Sequence, residues 1–269
     1  MASRAERPPA PASLAGAFRA AASDLYFNSW RLLPANVIWS TIVLLIATMA
    51  ILMPQLLLIA PLAALPLAGL FRMTTRIARG EAVSFWDAID AWRHEVLATL
   101  GLGAALLAAT VVLGSNAIIG LVAGTPLGWA FATLALWGLV ATWLYAWVAW
   151  PLLADPARAT RPIAERLRLA GLLVLASPGR IGGLGFLLAV FLVASAIAIV
   201  ALATVSVAFA ALVSSRYVLP AADRLEARLA RRLEPDHATP EPEPSSALEH
   251  GQDVAGRIHK PGDRRAILR

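Results

Sequence analysis

Val96–Ala154 reads VLATLGLGAALLAATVVLGSNAIIGLVAGTPLGWAFATLALWGLVATWLYAWVAWPLLA, without one Asp, Glu, Lys, Arg or His. A helix that crosses a membrane needs about 20 apolar residues, so this stretch is long enough for two. The tripeptide Gly124-Thr125-Pro126 divides it near the middle, because Gly often ends a helix and Pro often starts one. We predict two helices here, Val96–Leu121 and Leu127–Leu153, joined as a hairpin in the membrane.

Two further blocks lack charged residues, Leu32–Phe71 and Ile181–Ser215. Of the 269 residues, 59% are hydrophobic and 15% are charged, whereas soluble domains are about 45–50% apolar. The chain has no cysteine, which excludes disulfides and thiolate metal sites. The composition predicts an all-α, multi-spanning transmembrane helical bundle.

The basic residues predict how this bundle is oriented. They concentrate before the first block, in the two loops Arg72–Glu95 and Asp155–Arg180, and from Arg216 onward. Short cytoplasmic loops carry the Lys and Arg excess of membrane proteins, so both loops and both termini are predicted to be cytoplasmic. Each block then returns to its starting side, which gives about six membrane segments in three hairpins. The alternative is five spans, because Ile181–Ser215 offers only about 17 residues per limb.

The first block predicts one regular and one interrupted limb. Ala35–Met53 forms a span that Pro54 ends, and Gln55–Phe71 returns with Pro61 and Pro66 inside it. Proline removes a backbone donor, so we expect the returning limb to be kinked or re-entrant.

Four regions follow along the chain. Residues 1–31 are a cytoplasmic N-terminal segment, 32–220 the transmembrane helical domain, 221–233 a basic amphipathic surface helix, and 234–269 a polar tail. The tail is rich in proline and has no hydrophobic periodicity, which predicts disorder.

The two charged loops each predict a short helix. Ser84 resembles an N-cap with Asp87 three residues later, before an apolar stripe that predicts an interfacial helix or one docked on the bundle. Pro162 predicts the start of a helix through Ala176. Four apolar residues share one face of this second helix, Ile163, Leu167, Ala170 and Val174, and its start is kept polar by Arg161, Glu165, Arg166 and Arg168.

No residue pattern indicates catalysis, a cofactor or a metal, and we predict that the chain is not an enzyme. The motifs of metalloproteases, serine hydrolases and P-loop nucleotidases are missing. Asp87 and Asp90 are a close carboxylate pair for which a solvated helix face is the expected environment, and His94 is expected to be structural.

The remaining polar and aromatic candidates have structural interpretations. Asn36, Gln55 and Asn116 predict helix–helix hydrogen bonds or interface positions. The glycines at 120, 124 and 128 predict close packing or turn geometry. Trp129 and Trp150 could mark the two membrane interfaces. Helical spacing places three tryptophans on one packing or lipid-facing stripe: Trp143, Trp147 and Trp150.

Part of the chain, Tyr26–Glu95, resembles the YesL-like family of bacterial integral membrane proteins, domain of unknown function 624. The motifs that carry the resemblance are Phe27-Asn28-Ser29-Trp30, Asn36, Trp39, Ala60-Pro61-Leu62-Ala63-Ala64-Leu65, Arg79-Gly80-Glu81 and Val83-Ser84-Phe85. At position 60 the family's usual Gly is replaced by Ala. The resemblance implies a multi-pass protein of a bacterial plasma membrane and an accessory role in carbohydrate uptake, and it implies no catalytic residues.

The sequence leaves two functions open. One is a non-enzymatic accessory or regulatory partner of a sugar transport system. The alternative is a small uniporter, channel or lipid-handling protein, motivated by the proline-interrupted limb. Expected partners are the lipid bilayer, anionic lipid headgroups at the basic cytoplasmic segments, and a transporter complex. The tail mixes acidic and basic residues, so no nucleic acid is expected.

Overall fold

A computed structural model describes residues 13–198 and 202–233, and within these ranges all regular structure is helical. The predicted tail at 234–269 lies outside the described residues. The compact unit discussed below ends at Leu229. The α-helices are α1 Leu14–Leu52, α2 Ala64–Ala78, α3 Trp86–His94, α4 Val96–Ala123, α5 Pro126–Ala154, α6 Ile163–Ala176, α7 Pro178–Ile197 and α8 Val207–Leu233. Tighter 3-10 turns occupy Pro54–Ala63 and Pro156–Arg158, and a wider π-helical turn occupies Leu202–Ser206.

Six helical segments in the described part of the chain are long and apolar enough to cross a bilayer. They are Leu14–Leu52, Leu58–Ala78, Val96–Ala123, Pro126–Ala154, Pro178–Ile197 and Thr204–Arg232. The protein is therefore an integral, multi-pass membrane protein, and the predicted all-α bundle with six membrane segments is confirmed.

The first helix starts earlier than the uncharged block suggests. α1 begins at Leu14, where Ser13 caps it by accepting a hydrogen bond from the Gly16 amide at 3.0 Å. It then continues through Pro34, so neither residue 31 nor the expected start at Ala35 is a helix boundary. Helices of membrane proteins tolerate internal proline, which is why sequence alone placed this start too late.

The second limb is interrupted, as predicted. α1 ends at Leu52, and Pro54–Ala63 forms a 3-10 turn before α2 begins. α2 then ends at Ala78 with Arg79 as its C-cap; Gly80 adopts a φ of 79°, and the Glu81 amide donates to the Arg76 carbonyl at 2.9 Å. This pattern of a left-handed glycine and a bond back into the last turn is a Schellman cap.

The α4–α5 hairpin matches its prediction within two residues at each end. Gly124 adopts a φ of 64°, and the Thr125 hydroxyl accepts a hydrogen bond from the Gly128 amide at 3.0 Å. Gly120 packs so closely on α5 that a Cβ there would lie 2.5 Å from the Gly128 carbonyl oxygen. These glycines therefore serve turn geometry and packing within the hairpin, as predicted.

α8 lies at the centre of the bundle. In the span Thr204–Arg232, 78% of the most apolar window is buried. The helix passes Pro220 without a break, so the surface helix predicted at 221–233 is the continuation of this span. Val218 and Ala222, on either side of Pro220, are fully buried among other helices.

Polar side chains inside the membrane segments join the helices. Thr74 of α2 bonds Ser215 of α8 at 3.0 Å, and the Ser214 hydroxyl donates to the Trp147 carbonyl. Asn36 is fully buried and accepts a hydrogen bond from the Ala208 amide at 2.9 Å. The helix–helix hydrogen bond predicted for Asn36 is confirmed.

Candidate functional site

The largest group of interacting charges ties the ends of three elements to α8. We call it the ion-pair cluster; its members are Arg79, Asp155, Arg158, Arg161, Asp223 and Glu226. The Arg79 guanidinium lies 2.7 Å from an Asp155 oxygen and 2.8 Å from an Asp223 oxygen. These two bonds join the end of α2 to the start of the α5–α6 loop and to α8.

Arg158 makes the other half of the cluster. Its guanidinium contacts Asp155, lies 2.6 Å from an Asp223 oxygen and 3.0 Å from a Glu226 oxygen. Arg161 adds a more exposed pair to Glu226 at 2.6 Å. Three arginines thus face three carboxylates, so the cluster is formally neutral.

Burial makes the pairing necessary. Asp155 is fully buried and Arg158 is 2% exposed, and a buried charge without a partner is strongly destabilising. Hydrogen bonds to Asp223 and Asp155 hold the pKa of the Arg79 guanidinium above its usual value, which keeps this arginine charged. Each member of the cluster already has a partner within the molecule, so its bonds serve to hold helix ends together. We therefore call the ion-pair cluster the clamp from here on.

Local sequence positions the clamp. The Schellman cap at Gly80 ends α2 with Arg79 at the C-cap position. Asp155 caps the short turn Pro156–Arg158 by accepting a hydrogen bond from the Ala157 amide at 3.2 Å. Asp223 and Glu226 are three residues apart on α8, a spacing that places them on one face.

Other arginines of the charged segments also pair within the molecule. Arg216 of α8 binds Asp24 of α1 at 2.6 Å, and Arg76 binds both Glu81 and Asp87 at 2.8 and 2.7 Å. Many of the basic residues that suggested contact with anionic headgroups are thus neutralised by carboxylates of the same chain.

Arg166 corrects the prediction for α6. The helix itself is confirmed, beginning after Pro162 and ending at Ala176. Arg166, expected to keep the start of the helix polar, is 3% exposed, whereas Ile163 on the apolar face is 41% exposed. The arginine is buried because it binds Glu95 at 2.9 Å and the Leu153 carbonyl at 2.6 Å, contacts that a hydrophobic periodicity does not reveal.

A cavity lies beside the clamp, between α2, α3, α4 and α5. Its volume is about 390 Å³, and we call it the α2–α5 cavity. Its polar lining comes from Arg72, Asp90, Glu95, Thr99 and Trp150. The remaining lining is small or apolar: Ala68, Leu153, Ala154 and Ala159. It is a concave site that combines a cation, carboxylates, a hydroxyl and an aromatic wall.

The carboxylates of the first charged loop, Asp87 and Asp90, do not form one site. Asp87 accepts a hydrogen bond from the Ser84 amide at 2.6 Å and pairs with Arg76, but α3 begins at Trp86 with Phe85 at the N-cap position, so the N-cap predicted at Ser84 is wrong by one residue. Asp90 instead lines the α2–α5 cavity. Within the described ranges no group of three potential ligands is placed to hold a metal ion. The side chain of His94 lies outside the described part.

The tryptophan stripe packs against other helices. Trp147 and Trp150 are 8% and 5% exposed, and Trp150 stacks on Phe71 of α2 with ring centroids 6.0 Å apart. The Trp143 indole donates to the Gly185 carbonyl of α7 at 3.0 Å. Of the two predictions for the stripe, helix packing is the one observed. Trp150 therefore faces α2, and Trp129 remains exposed at 59%.

The clamp was missed because its acidic half looked unremarkable in sequence. Asp223 and Glu226 lie in a segment dominated by arginine, and the apolar stripe there suggested a lipid surface. The one available signal was their spacing of three residues on a helix, opposite two loops rich in arginine.

Comparison of the chain with known protein families, with curated proteins and with solved structures finds no match in any of the three.

Proposed function

We propose that this protein is a non-enzymatic accessory or regulatory subunit of a transport system in a bacterial plasma membrane. The observation that carries the proposal is the surface of the α4–α5 hairpin. Only 11% of the most apolar window of each of these two helices is buried, although both are long enough to span. A hairpin that packs mainly on itself offers two helix faces to another membrane protein.

The chemistry of that surface supports docking. Large side chains stand out from α5, including Phe131 at 58%, Leu134 at 70% and Trp137 at 69% exposure. Between membrane proteins, association depends on close packing rather than on expulsion of water. Aromatic and branched side chains next to small ones give a surface that another helix can interlock with.

Site-specific photocrosslinking in intact membranes tests the docking surface. A photoreactive residue at Leu134 should crosslink to a subunit of a transporter, identified by mass spectrometry. Leu52, at the end of α1, is a matched control with 69% exposure. Crosslinks to lipid alone at Leu134, or the same protein captured equally from both positions, would contradict the proposal.

The orientation belongs to the same proposal. The basic loops and the resemblance of Tyr26–Glu95 to the YesL-like family support a cytoplasmic location for the clamp end and for both termini. Reporter fusions after Glu95, Arg180 and Arg232 should all report the cytoplasm. An external signal from the fusion at Arg232 would overturn this topology.

A second candidate, a small uniporter, channel or lipid-handling protein, is favoured by the two interrupted helices. The 3-10 turn Pro54–Ala63 precedes α2 and the π-helical turn Leu202–Ser206 precedes α8, and interrupted helices often line transport sites. Vesicles containing the purified protein should then release a trapped solute or scramble a labelled lipid. Rates equal to those of empty vesicles would exclude this candidate.

A further inference from the structure

Two arginines at the end of the bundle that carries the clamp have no carboxylate partner within the described ranges, Arg180 and Arg224. Arg224 directly follows Asp223 on α8, and Arg180 lies in the first turn of α7. Asp223 and Glu226, the carboxylates beside Arg224 on α8, are already bound by arginines of the clamp. The two guanidinium groups therefore carry positive charge that the described chain does not neutralise.

The guanidinium of Arg224 is held in place without being satisfied. Its Nε donates to the Pro220 carbonyl, one helical turn earlier, at 2.9 Å. Its Nη1 is buried and has no hydrogen-bond partner in the described part of the chain. Buried donors are nearly always paired, because an unmade hydrogen bond is unfavourable. This nitrogen therefore points to an acceptor that comes from outside the chain.

A buried tyrosine lies on the same face of α8. Tyr217 precedes Arg224 by seven residues, about two helical turns, so the two side chains lie one above the other. Tyr217 is 6% exposed, and its hydroxyl has no hydrogen-bond partner within residues 13–198 and 202–233. The charges of Arg180 and Arg224 both act on this side chain, which brings the first turn of α7 next to the same face.

This set of donors suits a phosphate group. Two guanidinium groups and a phenol hydroxyl offer hydrogen bonds, and the planar fork of arginine matches the oxygens of a phosphate. Ser177 makes no side-chain cap bond to α7, so the positive end of the helix dipole adds to the attraction. A zwitterionic headgroup would bring an ammonium that Arg180 and Arg224 repel, so a ligand with net negative charge is favoured.

The position of these residues along their helices fits the surface of a membrane. Arg180 is the third residue of the apolar segment Pro178–Ile197, and Arg224 lies in the last third of Thr204–Arg232. Arginines near the ends of membrane helices reach the headgroup layer, and basic pockets between such helices bind anionic headgroups. A phospholipid beside α7 and α8 would therefore present its phosphate at this level.

We propose that Arg180, Arg224 and Tyr217 bind the phosphate group of an anionic phospholipid. The two guanidinium groups bind the phosphate oxygens, with Nη1 of Arg224 gaining the acceptor that it lacks. The Tyr217 hydroxyl donates a further hydrogen bond, and the acyl chains of the lipid remain in the bilayer. The site goes beyond the accessory role proposed above and does not depend on it.

Native mass spectrometry with added lipid tests the site. The full chain in detergent is titrated with palmitoyl-oleoyl phosphatidylglycerol and, separately, with the phosphatidylcholine that carries the same chains. One tightly held phosphatidylglycerol per protein is expected, with clearly weaker retention of phosphatidylcholine. Equal retention of the two lipids would overturn the assignment of an anionic ligand.

Three arginine variants separate a specific site from general attraction by positive charge. Arg180→Gln and Arg224→Gln should each weaken retention of phosphatidylglycerol by about tenfold or more, because charge-assisted hydrogen bonds are lost. Arg168→Gln removes the same charge from an exposed position on α6 and should leave retention unchanged. Equal weakening by all three variants, or unchanged retention in both Arg180→Gln and Arg224→Gln, would refute the site.

The variant Tyr217→Phe tests the site without changing the net charge or removing the buried ring. Loss of the hydroxyl should weaken retention of phosphatidylglycerol by about threefold to tenfold. The unfolding temperature in detergent without lipid should stay the same, because the hydroxyl has no partner among the described residues. Retention equal to that of the parent protein would contradict the role of this hydroxyl.

Inorganic phosphate distinguishes a lipid from a soluble source of the same group. At concentrations up to the millimolar range it should leave phosphatidylglycerol bound, since it has no acyl chains to hold it in the membrane. Displacement of the lipid within that range would overturn the lipid source and assign the three residues to a soluble phosphate.

Discussion

The α4–α5 hairpin and α8 are both membrane segments, yet their surroundings differ: the hairpin is largely exposed, and α8 is largely enclosed by other helices. The hairpin has 11% of the most apolar window of each helix buried, and α8 has 78%. α4 and α5 have no charged residue, whereas α8 carries Arg216, Asp223 and Glu226 among its ion-pairing side chains. A helix exposed to lipid must be apolar all round, and a helix enclosed by protein can place polar groups against its neighbours.

This difference in burial explains why sequence patterns predict some membrane helices more accurately than others. Hydropathy detects exposure to lipid, so it located both ends of the hairpin within two residues. The same criterion separated 221–233 from the last span, although both belong to one continuous helix, because Asp223 and Glu226, which bond other elements, resemble residues that face water. The central helix of a membrane bundle is therefore the one that sequence patterns describe least well.

The largest expected effect concerns the buried half of the clamp. Arg158→Met removes a cation that is 2% exposed and leaves Asp155, fully buried, with one partner fewer. The free energy of unfolding should fall by about 3–5 kcal/mol, the cost of breaking a buried ion pair. Denaturant titration in mixed micelles measures it.

Arg168→Met is the control for this substitution, since the same change is made at an exposed residue of α6. Its effect should remain within about 0.5 kcal/mol. If both variants lose the same stability, the clamp does not hold α8 in place, and the contrast between the central helix and the hairpin loses its electrostatic part.

The next effect belongs to the hairpin. Gly120→Ala places a Cβ 2.5 Å from the Gly128 carbonyl oxygen and 2.9 Å from the Ala132 amide nitrogen. These are backbone atoms that cannot rotate away, so the helices must separate at a cost of about 1–3 kcal/mol. Thermal unfolding monitored by tryptophan fluorescence measures the change.

Gly114→Ala provides the matched control on the same helix, because nothing lies within 4 Å of the new methyl group. This variant should be as stable as the parent protein or slightly more so. Equal destabilisation by the two alanines would show that helix flexibility, rather than contact between α4 and α5, explains the glycines.

A smaller effect should distinguish intramembrane polar residues in the two regions. Asn36→Leu removes the acceptor that binds the Ala208 amide at the start of α8, and the unpaired amide should cost about 1–2 kcal/mol. Asn116 is exposed on α4, so Asn116→Leu should change stability by less than about 0.5 kcal/mol. The same denaturant titration compares the pair, and a larger loss for Asn116→Leu would contradict the expectation.

The sequence predicted more of the fold than of the site. Charge-free blocks and turn residues were sufficient for six segments, the hairpin and the start of α6. They did not predict that Arg79 and Arg158 bridge Asp155 to Asp223, because the two carboxylates are 68 positions apart in the sequence and only the packing of α8 brings them near the same arginines. The α2–α5 cavity has the same origin, since its walls come from four helices.

The smallest effect concerns the rim of the clamp and sharpens the distinction between buried and exposed charge. The side chain of Arg161 is 47% exposed and pairs with Glu226 at 2.6 Å, so Arg161→Met should cost at most about 1 kcal/mol. At 1 M salt the Debye length falls to about 3 Å, which weakens exposed ion pairs, and the difference from the parent protein should shrink there. The loss caused by Arg158→Met should persist in the same salt, because ions do not reach a buried pair. A loss for Arg161→Met that survives 1 M salt would mean that Glu226 belongs to the buried part of the clamp.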